Sequence, residues 1–353
     1  MESSNYESHD YDRKAYEKAV EDAFDQEQEA INEQLGRSLV IALAGSLNAG
    51  KSTAINALTG VDYADVSPLP GKTKEVAEHP LGRAIIADTP GLYDPDRGVS
   101  ARTEAYLKEK ADIVVFFVNS LVGVTQHDKQ MFEKVRAKNS DILLVLSRVD
   151  GLESEADIKL VAEHAKKTLG MKPICFSSKT GVGIQELSRA MAVLLRKKGK
   201  DLIFAKLLKD KSAAVDVIIH SATAAAFVVG ALPLPGSDLV GLSAIQVGMA
   251  LKIADIYDHK VSKSDIMTLI SQTVLGGLGR KLYQVAVAFG KTAGWFTGGL
   301  LNAAIAGIGG ALAAALTYAF GKACDAYYKS GMSLDMGEFK AIFETFAEEY
   351  RKK

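Results

Sequence analysis

Residues 45–52 read Gly-Ser-Leu-Asn-Ala-Gly-Lys-Ser, and this stretch decides the fold of the N-terminal half of the chain. The apolar run 38–44 before it has the length of a buried strand, and residues 52–58 after it have a helical pattern. Strand, glycine-rich loop and helix in this order are typical of a phosphate-binding loop. Gly45 and Gly50 permit the tight backbone path that turns successive N–H groups, and the N-terminus of the helix, toward one phosphate. The stretch therefore predicts a nucleoside triphosphate site.

Five side chains or backbone groups are suited to the phosphates and to Mg²⁺. Lys51 can reach the β- and γ-phosphates, and the Ser52 hydroxyl can bind Mg²⁺. Asp88 ends the third predicted strand, where a carboxylate holds Mg²⁺ through water, and the nearby Gly91 N–H can meet the γ-phosphate. Thr73 lies in the loop after the first helix of this region, where it would complete Mg²⁺ coordination only when the γ-phosphate is present. The alternative for Thr73 is an ordinary loop threonine.

The composition excludes several other classes of protein. The 353 residues carry a formal net charge of −1, so no basic excess points to nucleic acid. Two cysteines, without metal-ligand spacing, indicate a reducing compartment rather than a disulfide framework or a zinc site. The N-terminus begins acidic and polar without a cationic and then apolar signal, so we expect the chain on the cytosolic side.

Residues 37–196 alternate short apolar runs with helical patterns. The predicted strands are Leu39–Ala44, Val76–Pro80, Ala84–Asp88, Ile113–Val118, Ile142–Ser147 and Pro173–Ser177. The predicted helices are Lys51–Leu58, Ala101–Lys110, Asp128–Lys138, Glu155–Leu169 and Ile184–Arg196. This order predicts a doubly wound α/β domain with a mostly parallel six-stranded sheet, whose ligands bind at the carboxyl ends of the strands.

Two charged segments flank this domain. Residues 1–36 hold eleven Asp or Glu and three Lys or Arg, which predicts an acidic helix packed along the α/β domain; a docking arm for a basic partner is the alternative. Residues 196–211 hold seven basic and two acidic residues, and we place the domain boundary there, with 197–211 as a basic linker helix.

Five segments of residues 37–196 follow the order of the guanine-nucleotide motifs, and the domain resembles the Era/TrmE-like branch of translation-factor-related (TRAFAC class) GTPases. The segments are the phosphate loop 45–52, Thr73, Asp88–Gly91, Ser147–Asp150 and Ser177–Lys179. The stretches Phe117–Ser120 and Thr125–Asp128 are also similar to that branch. The resemblance implies a P-loop GTPase domain that binds GTP or GDP with Mg²⁺ and hydrolyses GTP.

The resemblance also implies how the base is recognised. In that family an Asp at the position of Asp150 accepts two hydrogen bonds from guanine, and a backbone N–H near Ser178 contacts the guanine carbonyl. The chain departs from the usual Asn-Lys-x-Asp in having Ser147 and Arg148. Arg148 can still stack on the base, whereas we expect the shorter Ser147 to lose a bridging contact to the phosphate loop. The implied nucleotide-binding set is Gly45, Asn48, Ala49, Gly50, Lys51, Ser52, Thr53, Asp88, Gly91, Arg148, Asp150, Ser177, Ser178 and Lys179, with Ser52, Thr73 and Asp88 around Mg²⁺.

Two residues bear on hydrolysis, for which Lys51, Thr73 and Asn48 are the candidate catalytic residues. Leu92 stands where some GTPases place a glutamine that orients the attacking water, and an apolar side chain cannot do so. Asn48 stands where potassium-dependent members of the resembled family carry an Asn that helps to hold K⁺ beside the phosphates. We therefore hypothesise slow hydrolysis, stimulated by K⁺ and by pairing of two G domains in a homodimer. A loop residue with local hydrogen bonds is the alternative for Asn48.

The C-terminal half is rich in Ala and Gly and predicts an all-α domain. Thirty residues without a charge run from Thr292 to Gly321, longer than the ~20 that cross a bilayer. Small residues recur there at every fourth position, which lets another helix approach closely. The two files are Gly294, Gly298, Asn302, Ala306, Gly310 and Ala314, and Gly299, Ala303, Gly307, Ala311, Ala315 and Ala319.

Residues 212–325 are similar to a YcjF-like helical domain, which is often joined to GTPases and often associated with membranes. The motifs that carry this similarity are Ala231–Leu239 and the pattern from Gln246 to Tyr257. Pro233 and Pro235 favour a turn between two helices. Residues 326–353 predict a C-terminal amphipathic helix over Met336–Arg351.

Two interpretations of this half stay open. In one, 292–321 inserts into lipid and 196–211 meets an anionic membrane surface; in the other, the helices form a soluble bundle. The sequence as a whole predicts a GTP-hydrolysing molecular switch coupled to a helical domain, with a guanine nucleotide as its ligand. The alternatives are a ribosome- or RNA-assembly GTPase, for which the sequence has no nucleic-acid-binding module, and a GTP-regulated pore-forming or lipid-remodelling protein.

Overall fold

The computed structural model describes residues 3–46, 48–62, 76–89, 101–231, 237–273 and 300–352. The chain folds into two compact units. The first is formed by Gln34–Ala214, and the second by Met1–Glu33 together with Val215–Lys353. The boundary near Ala214 falls inside one helix, Ser212–Gly230.

The first unit is built on a six-stranded sheet in the order β2-β3-β1-β4-β5-β6. Its strands are β1 (Leu39–Gly45), β2 (Ala77–Leu81), β3 (Ala84–Asp88), β4 (Ile113–Asn119), β5 (Ile142–Ser147) and β6 (Ile174–Cys175). Only the β2–β3 pairing is antiparallel, and the other four pairings are parallel. The predicted doubly wound, mostly parallel sheet of a P-loop GTPase domain is therefore confirmed.

Helices alternate with the strands as the sequence predicts. Those that lie between strands are α2 (Lys51–Thr59), α3 (Ala101–Glu109), α4 (Gln126–Lys138) and α5 (Glu155–Leu169). The others are α1 (Ser3–Gly36), before β1, and α6 (Ile184–Arg196) and α7 (Asp201–Leu207), after β6. Helix α4 begins two residues before its predicted start because Thr125 and Asp128 form a capping box, in which each side chain bonds the other's backbone N–H.

Apolar side chains on both faces of the sheet hold this unit together. Every residue of β1 is buried, and the rings of Phe116 on β4 and Phe132 on α4 meet edge to face at 5.2 Å. Because the strands are covered on both faces, polar loops emerge at their ends, and the carboxyl ends of the parallel strands form the edge where a ligand can bind.

The basic stretch after α6 packs within this first unit. Helix α7 is shorter than the predicted linker helix, since Gly199 adopts a left-handed conformation (φ 62°) and Leu208 is extended. Lys200 pairs with Asp112 at 2.6 Å and Lys198 with Asp141 at 2.7 Å. These two ammonium groups are therefore paired with carboxylates of their own unit, which leaves less free positive charge here than the composition indicates.

The second unit is helical. It contains α1 up to Glu33, α8 (Ser212–Gly230) from Val215 onward, α9 (Ser237–Ile256), α10 (Lys263–Thr273), α11 (Leu300–Lys329) and α12 (Met336–Lys352). This confirms the predicted all-α region after the α/β domain. The predicted stretch 292–299 and the prolines at 233 and 235 lie outside the described residues.

Helix α1 groups with this second unit and not with the α/β domain, contrary to the expectation from its composition. Its apolar stripe is buried, with Val20 and Ile31 almost inaccessible. Asp25 pairs with Lys263 of α10 at 2.7 Å, and Glu27 pairs with Lys252 of α9 at 3.1 Å. The acidic helix is thus matched by lysines of the C-terminal helices, which the local pattern of α1 cannot reveal.

Small residues bring α8 and α11 into close contact. A Cβ on Gly310 would lie 2.7 Å from the carbonyl oxygen of Phe227, and one on Gly309 would lie 2.5 Å from that of Gly230. Gly307, in the second file of small residues, has open space where a Cβ would stand. The spacing therefore predicts the close approach correctly at Gly310, while Gly307 takes no part in it.

Candidate nucleotide-binding site

The backbone of the phosphate loop requires glycine at two positions. Gly45 ends β1 with φ 122°, and a Cβ there would lie 2.2 Å from the carbonyl oxygen of Phe117 on β4. Gly50 has φ 79° and forms the N-cap of α2, where its carbonyl accepts the first helical bond from Ala54 at 2.9 Å. The loop thus leaves the centre of the sheet and enters α2 with its free N–H groups at the helix N-terminus, as an anion site needs.

Lys51 lies against the loop that precedes it. Its Nζ donates to the carbonyl oxygens of Gly45 and Ser46 at 3.2 and 3.3 Å. Burial lowers the pKa of Lys51 from its usual value, and the Asp88 carboxylate opposes part of this shift. Among the described residues, the hydrogen bonds of this buried ammonium go to neutral carbonyls. It would therefore gain from a further anion beside Asp88, and a phosphate suits this role.

Asp88 ends β3 beside the loop. Its Oδ1 is buried and makes no hydrogen bond to any residue that the structure describes. Ser52, in the first turn of α2, is half-buried. A buried carboxylate oxygen without a donor is suited to a hydrated divalent cation, so these two residues fit the Mg²⁺ that the sequence predicts. Thr73, Gly91 and Leu92 lie outside the described residues.

A cavity of about 340 Å³ lies beside the phosphate loop. Its lining combines two residues of the loop region with the segments after β4, β5 and β6. They are Gly50, Thr53, Leu121, Ser147, Arg148, Asp150, Gly151, Phe176, Ser178 and Lys179. Tertiary structure thus brings the predicted base-reading residues together with the predicted phosphate-binding residues at the carboxyl edge of the sheet.

The base-reading segment after β5 is a short 3₁₀ turn, Val149–Gly151. Arg148 enters it in the left-handed conformation (φ 59°), and both Arg148 and Asp150 are exposed. Exposure leaves the Asp150 carboxylate free to accept hydrogen bonds from a ligand and leaves the guanidinium of Arg148 free to stack on one.

Ser147 corrects one expectation. Its Oγ lies 2.7 Å from the carbonyl oxygen of Ala49 in the phosphate loop and 3.1 Å from that of Val118. The expected loss of the bridging contact is therefore wrong, because β5 ends close enough to the loop for a short hydroxyl to reach it. The close packing of Ser147 on Gly50, where a Cβ would lie 3.7 Å from that of Ser147, makes this possible.

The segment after β6 is shaped by Ser177, which is buried. Its Oγ accepts hydrogen bonds from the backbone N–H groups of Lys179 and Thr180 at 3.2 and 3.1 Å. The hydroxyl thus holds the turn that presents Ser178 and Lys179 to the cavity, while Ser177 itself does not line it.

Three lining residues, Leu121, Gly151 and Phe176, are absent from the predicted site. The only signal for them in the sequence is that each adjoins a segment of the resembled motifs. Asn48 is exposed, with φ 59°. Asn tolerates this left-handed conformation better than most residues, so the loop accepts it at small cost.

Two family profiles match the chain. The family described as 50S ribosome-binding GTPase matches residues 40–148, and the family described as Domain of unknown function (DUF697) matches residues 198–352. Residues 40–148 are thus similar to a GTPase family, and residues 198–352 are similar to a family that is described as having unknown function.

Individual relatives are similar to part of the chain. GTPase Der of Halorhodospira halophila is 32% identical over 166 residues, which cover 45% of this chain and 34% of the relative. GTPase Der of Brucella ovis is 30% identical over 246 residues, covering 67% of this chain and 47% of the relative. The chain thus spans between about a third and a half of the length of these relatives.

Two solved structures match a smaller part of this chain over almost their whole length. The crystal structure of a probable GTP-binding protein engB has a TM-score of 0.37 and 20% identity, covering 45% of this chain and 99% of that chain. The G domain of the T. maritima FeoB iron transporter has a TM-score of 0.33 and 26% identity, with the same two coverages.

Proposed function

We propose that this chain binds GTP and hydrolyses it to GDP and phosphate, as a molecular switch. The observation that carries the proposal is the cavity that runs from Gly50 and Thr53 of the phosphate-loop region to Asp150, Ser178 and Lys179. One cavity lined both by the phosphate-loop region and by the predicted base-reading segments suits a ligand that has both a phosphate and a base, as a nucleotide does.

The residues of this site fall into groups that bind the phosphates, the base and Mg²⁺. Lys51 and the N–H groups of the loop bind the β- and γ-phosphates, and Asp150 accepts two hydrogen bonds from the guanine N1–H and N2–H groups. Mg²⁺, when bound, neutralises charge that develops on the phosphates; Ser52 and Asp88 would hold it, and Thr73 would complete its coordination. Adenine has no donor pair to offer Asp150, so the site favours GTP over ATP.

Slow hydrolysis that K⁺ stimulates is part of the proposal. Asn48 is exposed at the phosphate loop, where its side-chain oxygen is available to a monovalent cation. A cation there would supply the positive charge that other GTPases take from an arginine. A second G domain that faces the loop would shield this cation from water, which is why we include pairing of two G domains in the proposal.

Nucleotide binding gives the first test. A fluorescent GDP analogue is titrated into the protein, and GTP, GDP and ATP then compete for it. We expect GTP and GDP to displace the analogue at least a hundredfold better than ATP, and phosphate release to require Mg²⁺. The variant Lys51→Ala should lose binding, whereas the control Lys167→Ala, on the exposed surface of α5, should bind as wild type does. Equal competition by ATP would refute the guanine assignment.

The second unit is the proposed effector of the switch. The boundary between the units falls within α8, and just before it the backbone N–H of Lys209 donates to the Leu58 carbonyl at the end of α2, 2.9 Å away. Since α2 begins at the phosphate loop, movement of this loop acts on the chain segment that leads into α8. The profile described as ribosome-binding matches residues 40–148, within the first unit, so a ribosomal partner stays the alternative.

We propose a membrane surface as the place where this effector acts. Helix α8 is, among the described residues, the one helix long and apolar enough to span a bilayer, a test that core helices of soluble proteins also pass. Less than half of its apolar window is buried, and Phe227 and Val228 are 44% and 62% exposed.

Sedimentation with anionic vesicles tests this membrane contact. We expect the wild-type protein to sediment with the vesicles, and the double variant Phe227→Ser/Val228→Ser to stay in the supernatant. Leu160→Ser, which changes a 70% exposed leucine on α5, is the matched control and should behave as wild type does. A wild-type protein that stays in the supernatant would exclude the membrane contact and leave GTP binding untouched.

A further inference from the structure

The phosphate loop is bonded to α4 through one pair of side chains. The Ser46 hydroxyl donates a hydrogen bond to Oδ1 of Asp128, which is only 3% exposed. The two residues are 82 positions apart in the sequence, so this bond is purely tertiary. Ser46 directly follows Gly45, where the chain turns out of the sheet into the loop.

The other oxygen of the same carboxylate is also occupied. Oδ2 of Asp128 accepts from the Thr125 backbone N–H at 3.0 Å and from the Thr125 hydroxyl at 2.7 Å. The Thr125 Oγ1 in turn accepts from the Asp128 N–H at 3.0 Å. The capping box therefore fixes the carboxylate at the N-terminus of α4 and leaves Oδ1 directed to the loop. Each of these three hydrogen bonds to the carboxylate comes from a donor, which offsets the cost of burying it.

The backbone of Ser46 also takes part in two hydrogen bonds inside the loop. Its carbonyl oxygen accepts from the Ala49 N–H at 3.2 Å, which closes a tight turn, and from Lys51 Nζ at 3.3 Å. When Lys51 turns to a phosphate, its bond to Ser46 is lost, whereas the bond from Ser46 to Asp128 involves no group that the phosphates need. The loop can therefore keep its position on the α4 side while Lys51 exchanges partners.

We propose that Asp128 is a positioning residue for the phosphate loop, fixing its first turn through Ser46 so that the N–H groups are already arranged for a pyrophosphate. This rests on the proposed function, since it describes how the same nucleotide site is prepared. The bond from Ser147 to Ala49 fixes the later part of the loop from β5. Two bonds from two different elements thus hold a loop that has no regular secondary structure of its own, and ligand binding has less backbone entropy to overcome.

Variants of Ser46 and Thr125 separate positioning of the loop from stability of α4. Ser46→Ala removes the bond to the loop and leaves the capping box intact, whereas Thr125→Ala weakens the capping box and leaves the Ser46–Asp128 bond. We expect Ser46→Ala to weaken binding of fluorescent GDP about tenfold, as the loss of a hydrogen bond to a charged group implies. Ser46→Thr keeps a hydroxyl and should restore affinity to within twofold of wild type.

The expected control result is that Thr125→Ala lowers the unfolding temperature but changes GDP affinity by less than twofold. In a double-mutant cycle with Asp128→Ala, the effects of the two substitutions on affinity should not add, because both remove the same bond. Asp128→Ala also removes the carboxylate from the capping box, and the Thr125→Ala control measures the effect of weakening that box.

Three outcomes would contradict the inference. If Ser46→Ala binds GDP within twofold of wild type, or if Thr125→Ala weakens binding as much as Ser46→Ala does, Asp128 does not position the loop. Additive effects in the cycle would show that Ser46 acts without Asp128. In each of these cases wild-type binding of GDP still stands, whereas absence of wild-type binding would refute the proposed function itself.

Discussion

The hydroxyl of Ser147, at the end of β5, lies 2.7 Å from the carbonyl oxygen of Ala49 in the phosphate loop and donates a hydrogen bond to it. Both residues are almost completely buried. The segment that we propose reads the base and the loop that we propose binds the phosphates are therefore joined directly, across 98 positions of sequence.

Removal of this bond should destabilise the first unit. In Ser147→Ala the Ala49 carbonyl is left buried without its side-chain donor, and we expect a loss of about 1–3 kcal/mol in the free energy of unfolding. Urea denaturation measures it. Ser188→Ala is the matched control, because Ser188 is equally buried and its Oγ has no hydrogen-bond partner among the described residues. A loss in the control as large as in Ser147→Ala would mean that volume, and not the hydrogen bond, matters.

Gly45 should tolerate no side chain. A Cβ there meets the Phe117 carbonyl oxygen at 2.2 Å and the residue has φ 122°, so Gly45→Ala combines a backbone clash with backbone strain. We expect a loss of about 3 kcal/mol or more in the free energy of unfolding. Gly123→Ala isolates the strain, since Gly123 has φ 76° and open space around it, and should cost about 1–2 kcal/mol. Equal unfolding midpoints for the two variants would contradict the clash.

Lys51 should lower the stability of the nucleotide-free protein and strengthen the binding of a nucleotide. Because burial lowers its pKa, the charged form is disfavoured in the folded protein relative to the unfolded chain. Between the lowered pKa and the usual 10.5 the unfolded chain binds more protons, so this residue makes the free protein more stable as the pH rises through that window. We expect Lys51→Met to raise the unfolding temperature of the nucleotide-free protein at neutral pH while abolishing GDP binding. A lower unfolding temperature for this variant would show that the bonds of Nζ to the loop outweigh its desolvation.

Asp150 should decide which purine binds. Asp150→Asn replaces one acceptor oxygen by a donor, which mismatches the N2–H group of guanine and matches the 2-oxygen of xanthine. We expect GTP affinity to fall at least tenfold and xanthosine triphosphate affinity to rise, in competition against the fluorescent analogue. The neighbouring exposed Glu153→Gln should leave both affinities unchanged. Unaltered preference in Asp150→Asn would place base recognition elsewhere in the cavity.

Two glycines on α11 should respond in opposite ways to the same substitution. A Cβ at position 310 meets the Phe227 carbonyl oxygen at 2.7 Å, whereas one at position 307 meets open space. Gly310→Ala should therefore lower the free energy of unfolding of the second unit by about 1–2 kcal/mol. Gly307→Ala should raise it by about 0.5–1 kcal/mol, through the higher helix propensity of Ala. Circular dichroism melts of the two variants measure the difference, and equal melts would contradict the close approach of α8 and α11.

Much of the first unit could be predicted because its patterns are local. The order of strands and helices follows from apolar runs of five to seven residues and from helical periods between them, and most predicted bounds agree with the structure to within two residues. The main exception is the linker helix 197–211, of which only Asp201–Leu207 is helical; β6 is also shorter than predicted, with Ile174–Cys175 as its two residues. In both places a short apolar segment ends at a turn, and the position of that turn depends on contacts with neighbouring elements.

The helical half was less predictable, because a helix of small and apolar residues can pack in several ways. The spacing of glycines in α11 indicates a close approach but not the identity of the partner, α8. The acidic composition of α1 likewise does not show that Lys252 and Lys263 neutralise part of it. Each of these pairings joins residues that are distant in sequence, and the local sequence pattern does not identify them as partners.

The sequence by itself determined the phosphate loop, since Gly45, Gly50, Lys51 and Ser52 act through local backbone conformation and all lie within one stretch of eight residues. It also determined the order along the chain of the strand that ends at Asp88 and the strand that precedes Asp150. Only the tertiary structure decided that Ser147 still reaches the loop, that Ser46 is bonded to Asp128, and that Leu121 and Phe176 line the base cavity. The physical reason is that these contacts depend on how far apart neighbouring strands end, a distance that the packing of the whole sheet sets and no single segment encodes.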